Sequence, residues 1–337
     1  MKTNLEPEYY ISPSIFSTER SGLFSNTWQL IGPLSRLSQA GSYVSDDIAG
    51  IKILVLRGRD GVLRAFRNAC RHRGAQLIED GTGVCRSIRC PYHNWVYDDN
   101  GMLTHAPWFG EDSEFDLDQW PLQPIHIQTW RSLVFVSIDP EQSLLEQLGR
   151  CDAALSDVPV DKYQLADEQR MEFSANWKVY TDNFVEGYHI PGIHPAFFAA
   201  IDFEKFHTDA ADGLVTMTAP AKKDLFYKGR WYWMWPNWTL SLFEGGMNTS
   251  RINPLSHDRT ELIYHFYFAE LEEADSNVRA ETIRRNLEVV HQDFEICAET
   301  HHNYNTGNYT PGPLSPKHER GVMYFQERYR SKVNSAR

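Results

Sequence analysis

Two stretches of the chain carry the residues best suited to chemistry. The first holds Cys70 and His72, then Cys90 and His93 after an interval of seventeen residues. Each half offers one thiolate and one imidazole, so four soft or borderline metal ligands come from two short segments. A Cys₂His₂ set suits tetrahedral zinc. It also suits a two-iron cluster in which one iron takes both thiolates and the other both imidazoles, a substitution that raises the reduction potential over an all-cysteine cluster. The halves read CxH and CxxH and not CxxC and HxxxH, which counts against a zinc finger. Cys85 lies between the halves and reads as a packed thiol.

The second stretch is NWKVYTDNFVEGYH at 176–189, followed by IPGIH at 190–194. A helix over Asn176–His189, ended by Pro191 and Gly192, puts Asp182, Glu186 and His189 on one face at i, i+4 and i+7. Burying those polar groups among Trp177, Phe184 and Tyr188 is costly without a partner, and a cation removes the cost. His194 is close enough to reach the same point. Two histidines then need a carboxylate to make a facial triad for non-haem Fe(II). The helical segment 277–302 supplies Asp293, which falls with Val289, Val290, Ile296 and Cys297 on the apolar side, while Glu295 and Glu299 read as solvated. Asp182 and Asn183 read either as hydrogen-bond partners of the iron site or as structural neighbours.

The elements that position these groups fall into two patterns. From 41 to about 140, short β segments alternate with turns. Ile51–Arg57 and Val62–Phe66 flank an Asp-Gly turn, and Trp95–Tyr97 and Met102–Thr104 flank Asn100-Gly101. Trp130–Ile138 closes this all-β region. Residues 1–40 read as irregular chain with a helix near Ser17–Asn26. Beyond 140 come a helical segment at Gln142–Leu155, strand-like runs over 213–270, and the long helix, which together make an α+β domain. The expected organisation is 1–40 as a segment packing on the second domain, 41–145 as the β domain, and 146–337 as the α+β domain. The aromatic run Phe226–Trp238 places Trp231, Trp233 and Trp235 on one side of a strand. Those rings serve either as core or as a pocket wall, for a quaternary ammonium or for an aromatic substrate. His207, His257, His265, His301 and His302 have no partner pattern and read as structural.

Composition narrows the function classes. The chain has 337 residues, 42% hydrophobic and 23% charged, which disfavours a largely disordered chain. Its net charge of −12 disfavours nucleic-acid binding and suits docking to a basic partner. No apolar run reaches membrane-spanning length. The first ten residues lack the apolar core of a secretory signal, so a cytoplasmic location is expected. Five cysteines make no disulfide framework. There is no G-x-G-x-x-G fingerprint, so for any redox chemistry a separate reductase is expected.

The motifs CRHRGA at 70–75, CPYHNW at 90–95, NWKVYTDNFVEGYH with His194, and QDFEIC at 292–297 resemble those of the α subunit of Rieske-type non-haem iron oxygenases. The resemblance runs from Trp28 to the final helix. It implies an N-terminal Rieske domain and a C-terminal helix-grip catalytic domain. It implies Cys70, His72, Cys90 and His93 as ligands of a [2Fe–2S] cluster, and His189, His194 and Asp293 as ligands of a mononuclear Fe(II). It implies a ring, usually a homotrimer, in which the cluster of one subunit feeds the iron of its neighbour through a bridging carboxylate, here Glu186. Many ring dioxygenases carry Asp at that position. Glu resembles the choline, carnitine and betaine branch, and so points to hydroxylation or N-demethylation of a small methylated amine by O₂. Aromatic-ring oxygenation is the alternative. An electron carrier would need only residues 41–140, and a zinc-structured binding module is a further class. The resemblance also implies a separate flavin/[2Fe–2S] reductase, or a ferredoxin, as redox partner.

Overall fold

The computed structural model describes residues 2–222, 228–269, 271 and 276–335. The chain divides into two compact units, Phe24–Leu144 and Met1–Leu23 with Leu145–Arg337. The first unit holds β1 (Gln29–Pro33), β2 (Ser42–Ile48), β3 (Ile51–Arg57), β4 (Leu63–Arg67), β5 (Gly81–Val84), β6 (Ile88–Arg89), β7 (Val96–Tyr97), β8 (Leu103–His105), β9 (Pro124–Trp130) and β10 (Leu133–Ser137). Seven of these form an antiparallel sheet in the order β1-β10-β9-β4-β3-β2-β5, and β6-β7-β8 form a small second sheet. This unit begins well before residue 41. β1 pairs with β10, Gln29 against Val136, so residues 24–40 belong with the β unit and only the first 23 with the other. The expected strand Trp130–Ile138 is β10, which begins at Leu133, while Trp130 ends β9 of the same hairpin. Arg131 takes a left-handed φ of 51° and turns the chain between Trp130 in β9 and Leu133 in β10.

The second unit opens with α1 (Glu8–Ile11) and α2 (Pro13–Glu19), continued by a five-residue π turn at Arg20–Phe24 in place of the helix expected over Ser17–Asn26. After α3 (Leu144–Leu148) and α4 (Cys151–Ala154), broken from one another at Gly149 with φ 51°, come β11 (Gln164–Phe173), α5 (Trp177–Phe184), α6 (Ile190–Ile193) and α7 (Pro195–Ala200). Then follow β12 (His207–Ala211), β13 (Leu214–Thr218), β14 (Arg230–Met234), β15 (Trp238–Phe243), β16 (Gly246–Pro254), β17 (Thr260–Phe268), α8 (Ser276–Asn305) and α9 (Arg320–Ser335). The seven strands form one antiparallel sheet, β11-β17-β16-β15-β14-β13-β12. Asn286, Val290, Asp293, Phe294, Cys297, His301 and Tyr304 repeat at helical spacing as the buried stripe of α8. No helix among the described residues is long and apolar enough to cross a membrane.

A buried ion pair ties the N-terminal helices into this unit. Lys178 Nζ donates to Glu19 Oε1 at 2.5 Å, and both side chains are fully buried. Trp177 Nε1 donates to Glu19 Oε2 at 2.9 Å, and the Tyr329 hydroxyl also donates to this carboxylate. The ammonium lies over the rings of Tyr10, Trp177 and Tyr329, which supply cation–π attraction where water is excluded.

Candidate metal centres

In the β unit, two loops of matching form face each other. Gly74 N–H donates to the Cys70 carbonyl at 2.9 Å, and Asn94 N–H donates to the Cys90 carbonyl at 3.1 Å. Each loop turns back through a left-handed residue, Gly74 with φ 75° and Asn94 with φ 58°. The turns leave both thiols buried and bring the rings of His72 and His93 to 4.6 Å. Trp95 stacks on His72 at 4.8 Å and fixes its plane. The Tyr97 hydroxyl lies 3.4 Å from Cys70 Sγ and accepts from Arg71 N–H at 3.1 Å.

This donor set suits a cationic cluster better than it suits protons. Burial pushes the Cys70 thiol up, with Cys90 adding to the rise. Burial first, and the neighbouring His93 second, hold His72 below the ordinary imidazole range. His72 Nδ1 is buried without a hydrogen-bond partner among the described residues, as a ligand atom would be. Cys85 stands apart as a half-buried thiol, raised by burial.

In the second unit His189, His194 and Asp293 converge. One ligand atom from each lies within 4.8 Å of the others. Asp293 Oδ1 is 2.9 Å from His194 Nε2 and 3.7 Å from His189 Nε2. The far side of each ring is held: Glu186 engages His189 Nδ1, and Gln292 Oε1 lies 2.7 Å from His194 Nδ1. Asn183 Nδ2 donates to Asp293 Oδ1 at 2.8 Å. Each of the three converging groups thus has its own orienting partner, the arrangement that supports metal ligands. Gln292 Oε1 and Asp293 Oδ1 lie at the two ring nitrogens of His194, and a cation at Nε2 would sit between that nitrogen and the Asp293 carboxylate. Burial works to lower the His189 pKa, but the Glu186 hydrogen bond and the charges of Glu186 and Asp293 outweigh it and raise it.

The local backbone differs from the expected helix. α5 stops at Phe184, and Glu186 does not continue its face. Its carboxylate instead accepts from Tyr188 N–H and His189 N–H, an alternative to the helical ladder. Two glycines allow the close packing that follows. A Cβ at Gly187 would lie 2.4 Å from the Phe206 ring, and one at Gly321 would lie 1.9 Å from the Val185 carbonyl. Asp182 turns away from the triad. It accepts from the Tyr10 hydroxyl at 2.6 Å and from Gln326 Nε2 at 3.0 Å. Asp293 does face inward, and Glu295 and Glu299 are exposed. In the sequence, only its place beside Asp293 signals Gln292 as a partner of the site.

A cleft of about 620 Å³ opens beside the triad, walled by Tyr180, Phe197, Phe206, Trp231 and Tyr264, with Ser241 and Asn286 as polar points. Of the three tryptophans placed on one strand face, only Trp231 reaches it. Trp233 packs on Phe325 of α9, and Trp235 falls beyond the end of β14 beside Arg328. Phe226 and Tyr227 lie outside the described residues.

Comparison with known proteins finds relatives of both units. The Rieske [2Fe–2S] domain family matches residues 27–121, and the ring-hydroxylating α subunit catalytic domain matches 160–222 and 208–335. The carnitine monooxygenase oxygenase subunit of Escherichia coli (strain K12) is 31% identical over 282 residues, covering 79% of this chain and 75% of that protein. Choline monooxygenase of Atriplex hortensis is 25% identical over 329 residues, covering 94% and 75%. A solved structure of a quaternary ammonium Rieske monooxygenase superposes with a TM-score of 0.89 at 25% identity, covering 98% of this chain and 95% of that one. The chain therefore belongs to the Rieske non-haem iron oxygenases, as an oxygenase α subunit with a [2Fe–2S] cluster and a mononuclear iron.

Proposed function

We propose that the chain is the terminal oxygenase of a multicomponent system that oxidises a small methylated ammonium substrate at a carbon next to nitrogen. Cys70, His72, Cys90 and His93 hold the cluster, and His189, His194 and Asp293 hold the iron. When bound, the cluster supplies single electrons and the iron supplies the site where O₂ is reduced. The protein's own residues set the geometry. Glu186 and Gln292 fix the two imidazoles with Nε2 inward, and Asn183 orients the Asp293 carboxylate. In the ring assembly implied by the family, Glu186 also takes a hydrogen bond from a cluster histidine of the neighbouring subunit. A separate reductase supplies the electrons.

One observation carries the substrate class. The cleft is walled by aromatic rings, and no lysine or arginine is among its described lining residues. Aromatic rings with no basic side chain among them favour a cation, by cation–π attraction of about 0.5–2 kcal/mol per ring. The choline, carnitine and glycine betaine monooxygenase subunits among its relatives support the same class.

The test is O₂ uptake driven by NADH through a surrogate reductase. Choline, carnitine and glycine betaine are each offered, alongside 3,3-dimethyl-1-butanol, the uncharged isostere of choline. At least tenfold higher kcat/KM for a cation than for the isostere is expected. Equal turnover of the isostere, or coupled uptake only with aromatic hydrocarbons, would replace this reading with ring oxygenation.

A further inference from the structure

A second cavity, of about 660 Å³, lies on the other side of Asn183 and Glu186 from the substrate cleft, and those two residues line both. Its remaining wall includes Asp182, Glu319, Thr300, Tyr304 and Cys297. A space of that size with polar walls holds water. Asp182 sits half-buried in the wall with both oxygens engaged, by Tyr10 and by Gln326. Glu319 is half-buried, accepts from Ser315 N–H at 2.5 Å, and is flanked by the exposed Pro316, Lys317 and Arg320. None of these groups has a part in holding either metal.

We propose that this cavity is a proton inlet separate from the substrate cleft, with Asp182 as its internal proton donor and Glu319 as the group that reloads Asp182 from solvent. The inference rests on the oxygenase reaction of the family and not on which amine is oxidised. That reaction, R–H + O₂ + 2 e⁻ + 2 H⁺ → R–OH + H₂O, takes its electrons from the reductase and needs two protons in every turnover. The Asp182 carboxyl releases a proton to cavity water on the triad side and regains one by way of Glu319, so the chain returns to its starting state.

The surroundings keep a proton on Asp182 near neutrality. Burial pushes its pKa up to about 7, against the hydrogen bonds from Tyr10 and Gln326 and the charge of Lys178, while the Glu319 charge adds to the rise. Tyr10 faces Asp182 from α1, Lys178 from its own helix, and Gln326 from α9. Tyr304 and Cys297 face it from α8, and Glu319 from the turn before α9. Burial also raises Glu319. Burial thus moves both carboxyls of the relay in the same direction, toward the protonated form.

Two measurements test the proposal. In the iron-free protein, infrared spectra should show a protonated carboxyl band at pH 6 that titrates away by pH 9, is absent in Asp182→Asn and persists in Glu319→Gln. This readout needs no substrate, so it survives a wrong choice of amine. In the loaded enzyme, Asp182→Asn should lower kcat roughly a hundredfold and remove the alkaline limb of its pH profile. Cluster reduction by the reductase and the content of both metals should stay unchanged. Tyr10→Phe keeps the carboxyl but removes a hydrogen bond that stabilises its ionised form, so the alkaline limb should move to higher pH. An Asp182→Asn enzyme with wild-type kcat and pH profile overturns the proposal, as does the absence of an Asp182-dependent infrared band. If Asp182→Asn does not fold, the Tyr10→Phe limb decides alone, and an unmoved limb is refutation.

Discussion

Replacing Gln292 by leucine tests whether the second unit is built around a metal. In the native chain Gln292 Oε1 lies 2.7 Å from His194 Nδ1, which places a proton on Nδ1 and leaves the Nε2 lone pair facing the triad. His194 is almost fully buried, so no water replaces the lost acceptor. Without Gln292, the metal-binding tautomer carries a buried N–H with no partner, at a cost of about 1–3 kcal/mol. The iron-free chain escapes that cost by moving the proton to Nε2, where Asp293 Oδ1 accepts at 2.9 Å. That tautomer closes the ligand atom to metal. Binding must reverse the shift, so Fe(II) affinity should fall about 10–100-fold, the range for loss of such an orienting partner. The assay is an anaerobic competitive Fe(II) titration of iron-depleted protein, with visible absorption of the cluster as an internal control for the other unit. Gln292→Glu keeps an acceptor at Nδ1 and should hold wild-type affinity or better. If Gln292→Leu binds Fe(II) within twofold of wild type, the ring is not oriented for a metal and the triad reading loses its support.

Glu186→Gln should keep both metals bound and slow turnover by roughly 10–100-fold, with the loss in cluster-to-iron electron transfer; cluster reoxidation at the wild-type rate in a single turnover would remove the bridging role. Glu19→Ala strands the buried Lys178 ammonium, so the urea midpoint of the second unit should drop by the equivalent of about 3–5 kcal/mol. The pair Glu19→Leu with Lys178→Met should recover most of that loss, and additive losses would refute the coupling. His301 accepts from Asn176 N–H at 3.3 Å, and burial lowers its pKa to about 4. The unfolded chain protonates near 6.5, so it binds the extra proton between about 6.5 and about 4, and stability must fall as pH drops through that window, by up to ~1.4 kcal/mol per pH unit. His301→Gln should flatten that part of the stability curve, as followed by thermal melts at fixed ionic strength.

The parts of both centres that were legible in the sequence are local in the chain. Cys70 with His72 and Cys90 with His93 sit on loops whose turns are made by their own neighbours, Gly74 and Asn94, so spacing alone disclosed them. Asp293 was distinguishable from Glu295 and Glu299 because one helical period decides which side chain faces inward. The misreadings arose where a distant segment decided the outcome. The face shared by Asp182, Glu186 and His189 was inferred from an unbroken helix. The helix ends at Phe184, where the Glu186 carboxylate ties the following turn and Gly321 brings α9 against the Val185 carbonyl. The sequence pattern points to a cation as what meets the cost of burying Asp182; Tyr10 and Gln326, 172 and 144 positions away, meet it instead.

That reassignment has a consequence for how the site works. A carboxylate on the triad itself would be held ionised by the metal and could not carry protons at neutral pH. Held on α5 by Tyr10 and Gln326 and away from the triad, Asp182 has a pKa raised to about 7 while remaining on the wall of a cavity that reaches Asn183 and Glu186. The short α5 separates the two roles. Asn183 donates to the metal ligand Asp293 while its neighbour Asp182 points to Tyr10 and the polar cavity, about 100° further round the same turn. A helix continued through His189 would have put Asp182 and His189 on one face and merged the two environments, so the early stop at Phe184 is part of the chemistry and not only of the packing.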